Sequence, residues 1–190
     1  SKISPIKDYI ITDLFENKIG ESKMKIVFLR VDDRYVHGQV TAAWVKIANA
    51  NVIWVVNDSV AKNPIISKLQ VSLAPPGTKV EVYTIEDAIK KIQEEQGKDD
   101  GRRVLILVAN PVDAWKLIEG GAQVDSLNMG QMAWRAGRER VSKTVSVSPE
   151  DIEAIKKIAE KGIYIYYQQL PDFPPKPQDF IKILQDKKLW

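Results

Sequence analysis

Cysteine is absent from the 190-residue chain. That excludes disulfides, thiolate metal sites and a cysteine nucleophile, and it fits a reducing compartment. Histidine occurs once, as His37, so a cluster of histidine metal ligands is excluded, as is any phosphatase chemistry that pairs two histidines. No Gly-x-x-x-x-Gly-Lys-Ser/Thr phosphate loop and no Gly-x-Gly-x-x-Gly dinucleotide fingerprint is present. A Ser-His-Asp triad is left formally open, but the chain has no Gly-x-Ser-x-Gly elbow. No apolar run approaches the roughly 20 residues of a membrane span, and the N-terminus lacks the apolar core of a signal peptide. A strong excess of one charge is missing too. The 28 Lys and Arg against 25 Asp and Glu leave a net +3. That suits a phosphorylated partner or an anionic surface, but not nucleic acid, which asks for a concentrated basic stripe.

What is present describes an ordinary soluble globular protein, 44% hydrophobic and 28% charged. The length points to one domain with a substantial core. Residues 1–23 read differently from the rest, as an N-terminal arm, the end of a preceding domain or an added segment. About two turns of helix are predicted there at 8–15, with Gly20 to Lys23 as a linker. Residues 24–190 read as a single domain opened by Met24.

From Met24 onward strands and helices alternate. Strands are predicted at 24–30, 52–56, 79–83, 104–109, 123–127, 141–147 and 163–168. Helices are predicted at 40–50, from Asn63-Pro64 to Leu73, and at 85–96. Three more follow Asn110-Pro111, Ser148-Pro149 and Phe180, the last as a helix or tail. Asn63-Pro64, Asn110-Pro111 and Ser148-Pro149 each pair a capping side chain with proline at the first helical position. Val52 to Val56 and Val104 to Ala109 are apolar throughout, as strands covered on both faces are. The strand at 79–83 alternates and belongs nearer an edge. Ile65, Ile66, Leu69 and Leu73 supply an apolar stripe for the helix after Asn63-Pro64. Trp44, Trp54 and Trp115 are read as core. The fold class is α/β, a three-layer, open, mostly parallel doubly wound sheet with helices on both faces. The first strand is favoured for its centre.

The chemistry concentrates after the first strand, in Arg30-Val31-Asp32-Asp33-Arg34-Tyr35-Val36-His37-Gly38-Gln39-Val40. A lone histidine is, without context, most often a structural residue. Here it follows a strand, opens a helix and has two arginines within seven residues, at the edge where parallel sheets carry their sites. A neutral imidazole is a good nucleophile. If it accepts a phosphoryl group, Arg30 and Arg34 supply charged planar donors. The amides of Gly38, Gln39 and Val40 supply a helix N-terminus. Asp32 or Asp33 orients an arginine or the ring.

Asn57 and Asp58, Asn110, and the segment holding Asn128 and Gly130 follow other strands and are candidates for lining the same crevice. Helix capping competes for Asn110, and a tight turn for Gly130. Residues 128–140 are read as a loop. There Trp134, Arg135 and Arg138, with Arg140 and Lys143, form either a partner surface or a solvated basic face.

These residues carry a resemblance. Arg30-Val31-Asp32-Asp33-Arg34 with His37-Gly38-Gln39-Val40 resembles the signature of the enzyme IIB component of the mannose/fructose/sorbose family of the bacterial sugar phosphotransferase system. Leu73-Ala74-Pro75-Pro76-Gly77, Asn110-Pro111 and Ser126-Leu127-Asn128-Met129-Gly130 agree in place. Tyr35-Val36 stands where the family more often has Leu-Ile, and Gln131 where a second glycine is common. The resemblance implies a protein-N(pi)-phosphohistidine–sugar phosphotransferase with His37 transiently phosphorylated. It leaves open which ring nitrogen of His37 is used. Arg30 and Arg34 map to arginines near the phosphohistidine and Asp32 to the motif aspartate. A IIA phosphoprotein is the implied donor. Membrane IIC and IID subunits hold the sugar, so the IIB unit works in the cytoplasm, peripherally associated with the membrane through those partners. A homo-oligomer is compatible with this reading. No cofactor and no metal is implied, since fixed positive charge supplies the electrostatics. The alternative is a non-catalytic regulatory module that binds an anion or phosphoprotein through the same loop. A nucleotide-dependent enzyme is a weaker third reading, for want of the glycine fingerprint.

Overall fold

The structure, a computed structural model, describes residues 23–190. The helix expected at 8–15 lies outside them. In chain order the elements are β1 (Lys25–Asp32), α1 (Gly38–Ala48), β2 (Val52–Val56), α2 (Asp58–Ala61), α3 (Pro64–Ser72) and β3 (Lys79–Tyr83). Then come α4 (Ile85–Glu95), β4 (Arg103–Val108), α5 (Pro111–Glu119), β5 (Ser126–Gln131), β6 (Glu139–Arg140) and β7 (Ser146–Val147). The chain ends with α6 (Pro149–Glu160), β8 (Tyr164–Tyr167), β9 (Gln178–Asp179) and α7 (Phe180–Asp186).

Seven strands form one sheet in the order β3-β2-β4-β1-β5-β8-β9. All pairings are parallel except β8 with β9. β1 is the central strand, as the sequence favours, and β3 lies at an edge. Side chains alternate across the sheet. Trp54, Val56, Ile106 and Val108 pack on one face among residues of α4, α5, α6 and α7. Ile53, Val55, Leu105 and Leu107 pack on the other with Trp44, Val45 and Ala48 of α1. Both faces are therefore covered, which is why β2 and β4 are apolar without interruption. Among the described residues no helix is long and apolar enough to cross a membrane.

The proline-marked helix starts are real caps. Asn63, Asn110 and Ser148 each accept backbone N–H bonds at the heads of α3, α5 and α6. Several boundaries differ from the sequence reading. β1 runs on to Asp32, so Arg30 and Asp32 are strand residues on one face of the sheet. β5 covers Ser126–Gln131 rather than 123–127, which puts Asn128 and Gly130 in a strand instead of a loop or turn. Parallel pairing of Arg30 with Asn128 and Val31 with Met129 holds it there. The strand expected over 141–147 is instead the short antiparallel pair β6–β7. A turn of helix, α2, follows Asn57, whose side chain accepts from Val60 N–H.

The apolar stripe of α3 forms but does not face the core. Ile65, Ile66, Leu69 and Leu73 are all exposed, and the one buried residue of the helix is Gln70. The inward position is taken by an amide that bonds the backbone of Val36.

Candidate functional site: an aspartate hub beside the lone histidine

The site is built on the C-terminal end of β1. Residues two apart on a strand share a face, so Arg30 and Asp32 both point toward α1. Arg30 is sealed, with its side chain 2% exposed. Its Cζ lies 5.4 Å from the centroid of the Trp44 ring, itself stacked on Phe28 at 4.9 Å. Arg30 Nη1 donates to Asn128 Oδ1 and to the Gln168 carbonyl (3.1 Å). Its Nη2 donates to Asp32 Oδ2 (3.0 Å) and to the Gln169 carbonyl (2.9 Å). Asn128 Nδ2 also donates to the Gln168 carbonyl (3.1 Å), and Trp44 Nε1 to that of Gln169 (3.1 Å). The guanidinium thus joins β1, β5 and the segment after β8. The space for it comes from Gly130, where a Cβ would stand 2.2 Å from Arg30 Cζ.

Asp32 is the hub. Its carboxylate accepts from Arg30 Nη2, from Arg34 N–H (3.0 Å), and from Arg34 Nε and Nη2 (both 3.1 Å). His37 Nε2 lies 3.3 Å from Asp32 Oδ2. Burial alone would raise the Asp32 pKa. Hydrogen bonds from His37 and Arg34 and the charges of Arg30 and Arg34 outweigh it and hold the carboxyl well below the usual carboxylate range. Burial lowers the Arg30 pKa from its ordinary value, against the opposing charge and hydrogen bond of Asp32. Asp32 is therefore an anion, and an anion 3.3 Å from Nε2 favours the tautomer with its proton there. Among the described residues Nδ1 makes no hydrogen bond. The two groups left partly open are His37, 27% exposed, and Arg34, 35% exposed.

The connecting loop is held at several points. Asp33 N–H donates to the Gln131 carbonyl (3.1 Å), and Tyr35 N–H to the Asp32 carbonyl (3.0 Å). Tyr35 adopts φ 59°, the left-handed region that non-glycine residues seldom occupy. His37 is the N-cap residue of α1, extended at φ −151°, and its side chain does not cap the helix. Its own N–H donates to Thr41 Oγ1 (3.0 Å). The first N–H groups of α1, at Gly38, Gln39 and Val40, thus receive no capping side chain. Such groups form an anion-binding end.

The sequence-predicted residues divide. His37, Asp32, Arg34, Arg30 and Gly130 come together with the amides of Gly38, Gln39 and Val40. Arg30 is placed differently from Arg34: its two Nη atoms face acceptors within the protein and its side chain is buried. Asp32, not Asp33, holds the ring, while Asp33 Oδ2 accepts from Ala133 N–H (2.7 Å). Asn57, Asp58 and Asn110 stand at strand ends as expected, but their oxygens serve the backbone. They accept from Val60, Ile85 and Asp113 N–H groups in turn. Trp134 is 60% exposed, next to the Ala133–Asp33 bond and so beside the loop. Arg138 Nη1 donates to the Ala133 carbonyl (2.9 Å), and the charge of Arg135 is felt by Tyr35. Asn128, Thr41 and Gln70 were not assigned their roles by the sequence. A glutamine inside an apolar helical stripe, and a threonine four residues after the histidine, are the signals that mark two of them.

A histidine, a carboxylate and an arginine thus gather beyond the carboxyl end of the central strand, the crevice where open α/β sheets bind their ligands. The chain belongs to the family of phosphotransferase-system sorbose subfamily IIB components, whose profile matches residues 26–189. It is 39% identical over 140 residues to the sorbose-specific EIIB component of Klebsiella pneumoniae, covering 74% of this chain and 84% of that protein. To the fructose-specific EIIB component of Bacillus subtilis it is 32% identical, covering 86% and 98%. The mannose-specific EIIAB component of Escherichia coli is 38% identical over 151 residues, and there the match covers 80% of this chain but 46% of the longer relative. The crystal structure of the IIBSor domain of the Klebsiella pneumoniae sorbose permease superposes with a TM-score of 0.77 at 33% identity, over 86% of this chain and 98% of that one. The chain is thus a sugar-specific IIB component of the phosphotransferase system.

Proposed function

We propose that His37 accepts a phosphoryl group from the phosphohistidine of a IIA partner and passes it to a sugar held by membrane IIC and IID subunits, at the cytoplasmic face. The observation that carries this is the Asp32–His37 pair. With Nε2–H held toward Asp32 Oδ2 at 3.3 Å, Nδ1 keeps its lone pair and is the nucleophile. In the first transfer the donor N–P bond breaks as the Nδ1–P bond forms. Charge spreads over three phosphoryl oxygens in a loose transition state. Arg34 donors not used by Asp32, and the amides at the head of α1, are placed to hold that charge. Phosphorylation makes the imidazole ring cationic, and Asp32, already anionic, balances it. In the second transfer the P–Nδ1 bond breaks as a sugar hydroxyl oxygen bonds to phosphorus; His37 leaves as the neutral Nε2–H imidazole and the hydroxyl proton passes to a base of the sugar-holding subunit.

Two different proteins must reach the ring in turn, and its partial exposure allows this. The rim beside Trp134, Arg135 and Arg138 is part of the surface they meet. The test is a phosphoenolpyruvate-driven relay containing the matching IIA. Acid-labile phosphate on His37 is expected, and it should vanish in His37→Ala. Undiminished labelling of His37→Ala would overturn the assignment.

A further inference from the structure

The strongest feature that this chemistry leaves unused is Gln70. It is 6% exposed on a helix whose apolar residues face outward. Its Oε1 accepts from Val36 N–H (2.8 Å), and its Nε2 donates to the Val36 carbonyl (3.4 Å). Burying an amide is unfavourable unless both its ends are bonded, and here both ends meet one residue. The side chain thereby stands in for a neighbouring strand. Val36 sits between Tyr35, whose left-handed backbone is strained, and His37, whose extended backbone aims its ring at Asp32. α3 is in turn fastened to α2, because Ser67 Oγ donates to the Val60 carbonyl (2.8 Å). The loop before His37 is therefore clamped from an element outside the sheet.

We propose that Gln70 is a positioning residue for His37. It acts through Val36, keeping Nε2 toward Asp32 and Nδ1 outward, which sets both the tautomer and the line of attack. The inference rests on His37 being the phosphoryl acceptor. Gln70→Met keeps the length and helix preference of the side chain and removes both bonds.

The test compares wild type and Gln70→Met with two phosphoryl donors, the IIA phosphoprotein and phosphoramidate, which needs no docking surface. Because His37 is the only histidine, its ring gives a single set of nitrogen signals in NMR, and these report the tautomer without ambiguity. Slower labelling by about tenfold or more is expected with both donors, since small misplacement of a reacting group is costly. The ring signals should shift from the Nε2–H form toward a mixture, while melting stays cooperative. If Gln70→Met does not fold, Gln70→Ala, which lets water reach the Val36 amide, is read in the same assays. Unchanged rates and ring signals would overturn the role of Gln70 while leaving His37 in place. Slowing with the protein donor alone would also overturn it and make α3 a docking surface instead. Absence of labelling in wild type with either donor would remove the His37 reading itself.

Discussion

Gly130 lies directly under Arg30: a Cβ there would stand 2.2 Å from the guanidinium carbon. The two residues are brought together by the parallel pairing of β1 with β5. Because Arg30 bonds to both strands and to two carbonyls after β8, it has no free direction in which to retreat. Gly130→Ala is expected to cost about 1–3 kcal/mol, as overpacking does. Urea denaturation measures the loss, and phosphoryl transfer should fall with it because Arg30 holds Asp32. A variant as stable as wild type would mean that the guanidinium has another place to go.

Arg30→Leu removes a buried cation and takes one donor from each of its four acceptors. Asp32 and Asn128 lose a partner, and the Gln168 and Gln169 carbonyls lose donors. Destabilisation of about 3–5 kcal/mol is expected, as when one member of a buried pair is deleted. Arg30→Lys should recover little, since an ammonium cannot reproduce the planar fork that serves several acceptors. Chemical denaturation of the two variants side by side provides the measurement.

Arg34 is placed differently. It is partly exposed and makes its side-chain bonds to Asp32. Arg34→Lys should leave the melting temperature within a few degrees of wild type, yet slow His37 phosphorylation by about tenfold or more. Rapid-quench labelling with the IIA donor reads the rate. Equal rates would take Arg34 out of the transfer step.

Asp32 links the site to acid stability. Its folded pKa is depressed, by the bonds and charges that overcome its burial. A depressed carboxyl contributes stability in full above its unfolded pKa of about 3.9. That contribution is lost as pH falls toward the folded value. Wild type is expected to lose stability steeply below about pH 4, and Asp32→Asn less steeply, although Asp32→Asn is the weaker protein at neutral pH. Glu95 and Asp100, both lowered by Arg102, titrate alike in the two proteins, so the difference in slope isolates Asp32. Parallel slopes would contradict the hub.

The outward face of α3 gives a fifth expectation. Leu69 is 54% exposed, so Leu69→Lys should alter stability by no more than about 0.5 kcal/mol. A loss of about 2–5 kcal/mol would mean that it is core after all. Thermal denaturation distinguishes the two.

Much of this architecture could be read from one-dimensional pattern, where the controlling interaction is local or repeated. Val52–Val56 and residues 104–108 declare two-sided burial by unbroken apolarity. Asn63, Asn110 and Ser148 declare helix starts because the bonds they make lie within three residues. The lone histidine and its arginines were visible for the same reason. Legibility ends where a residue answers to a distant one. Periodicity shows that α3 has an apolar stripe, but not that an amide would occupy its inward position. Gly130 resembles a turn glycine until strand order sets it against Arg30. Nor does the sequence show that Arg30 bonds Asn128 and the segment after β8 through both of its Nη atoms.

The central place of β1 has a further consequence. The strand that carries Arg30 and Asp32 is laced to β4 on one side and β5 on the other, so the socket cannot slide or tilt without tearing both ladders. On the proposed relay, a foundation braced in this way stays fixed while two partners come and go, and any adjustment to each falls to the loop of Arg34 and His37.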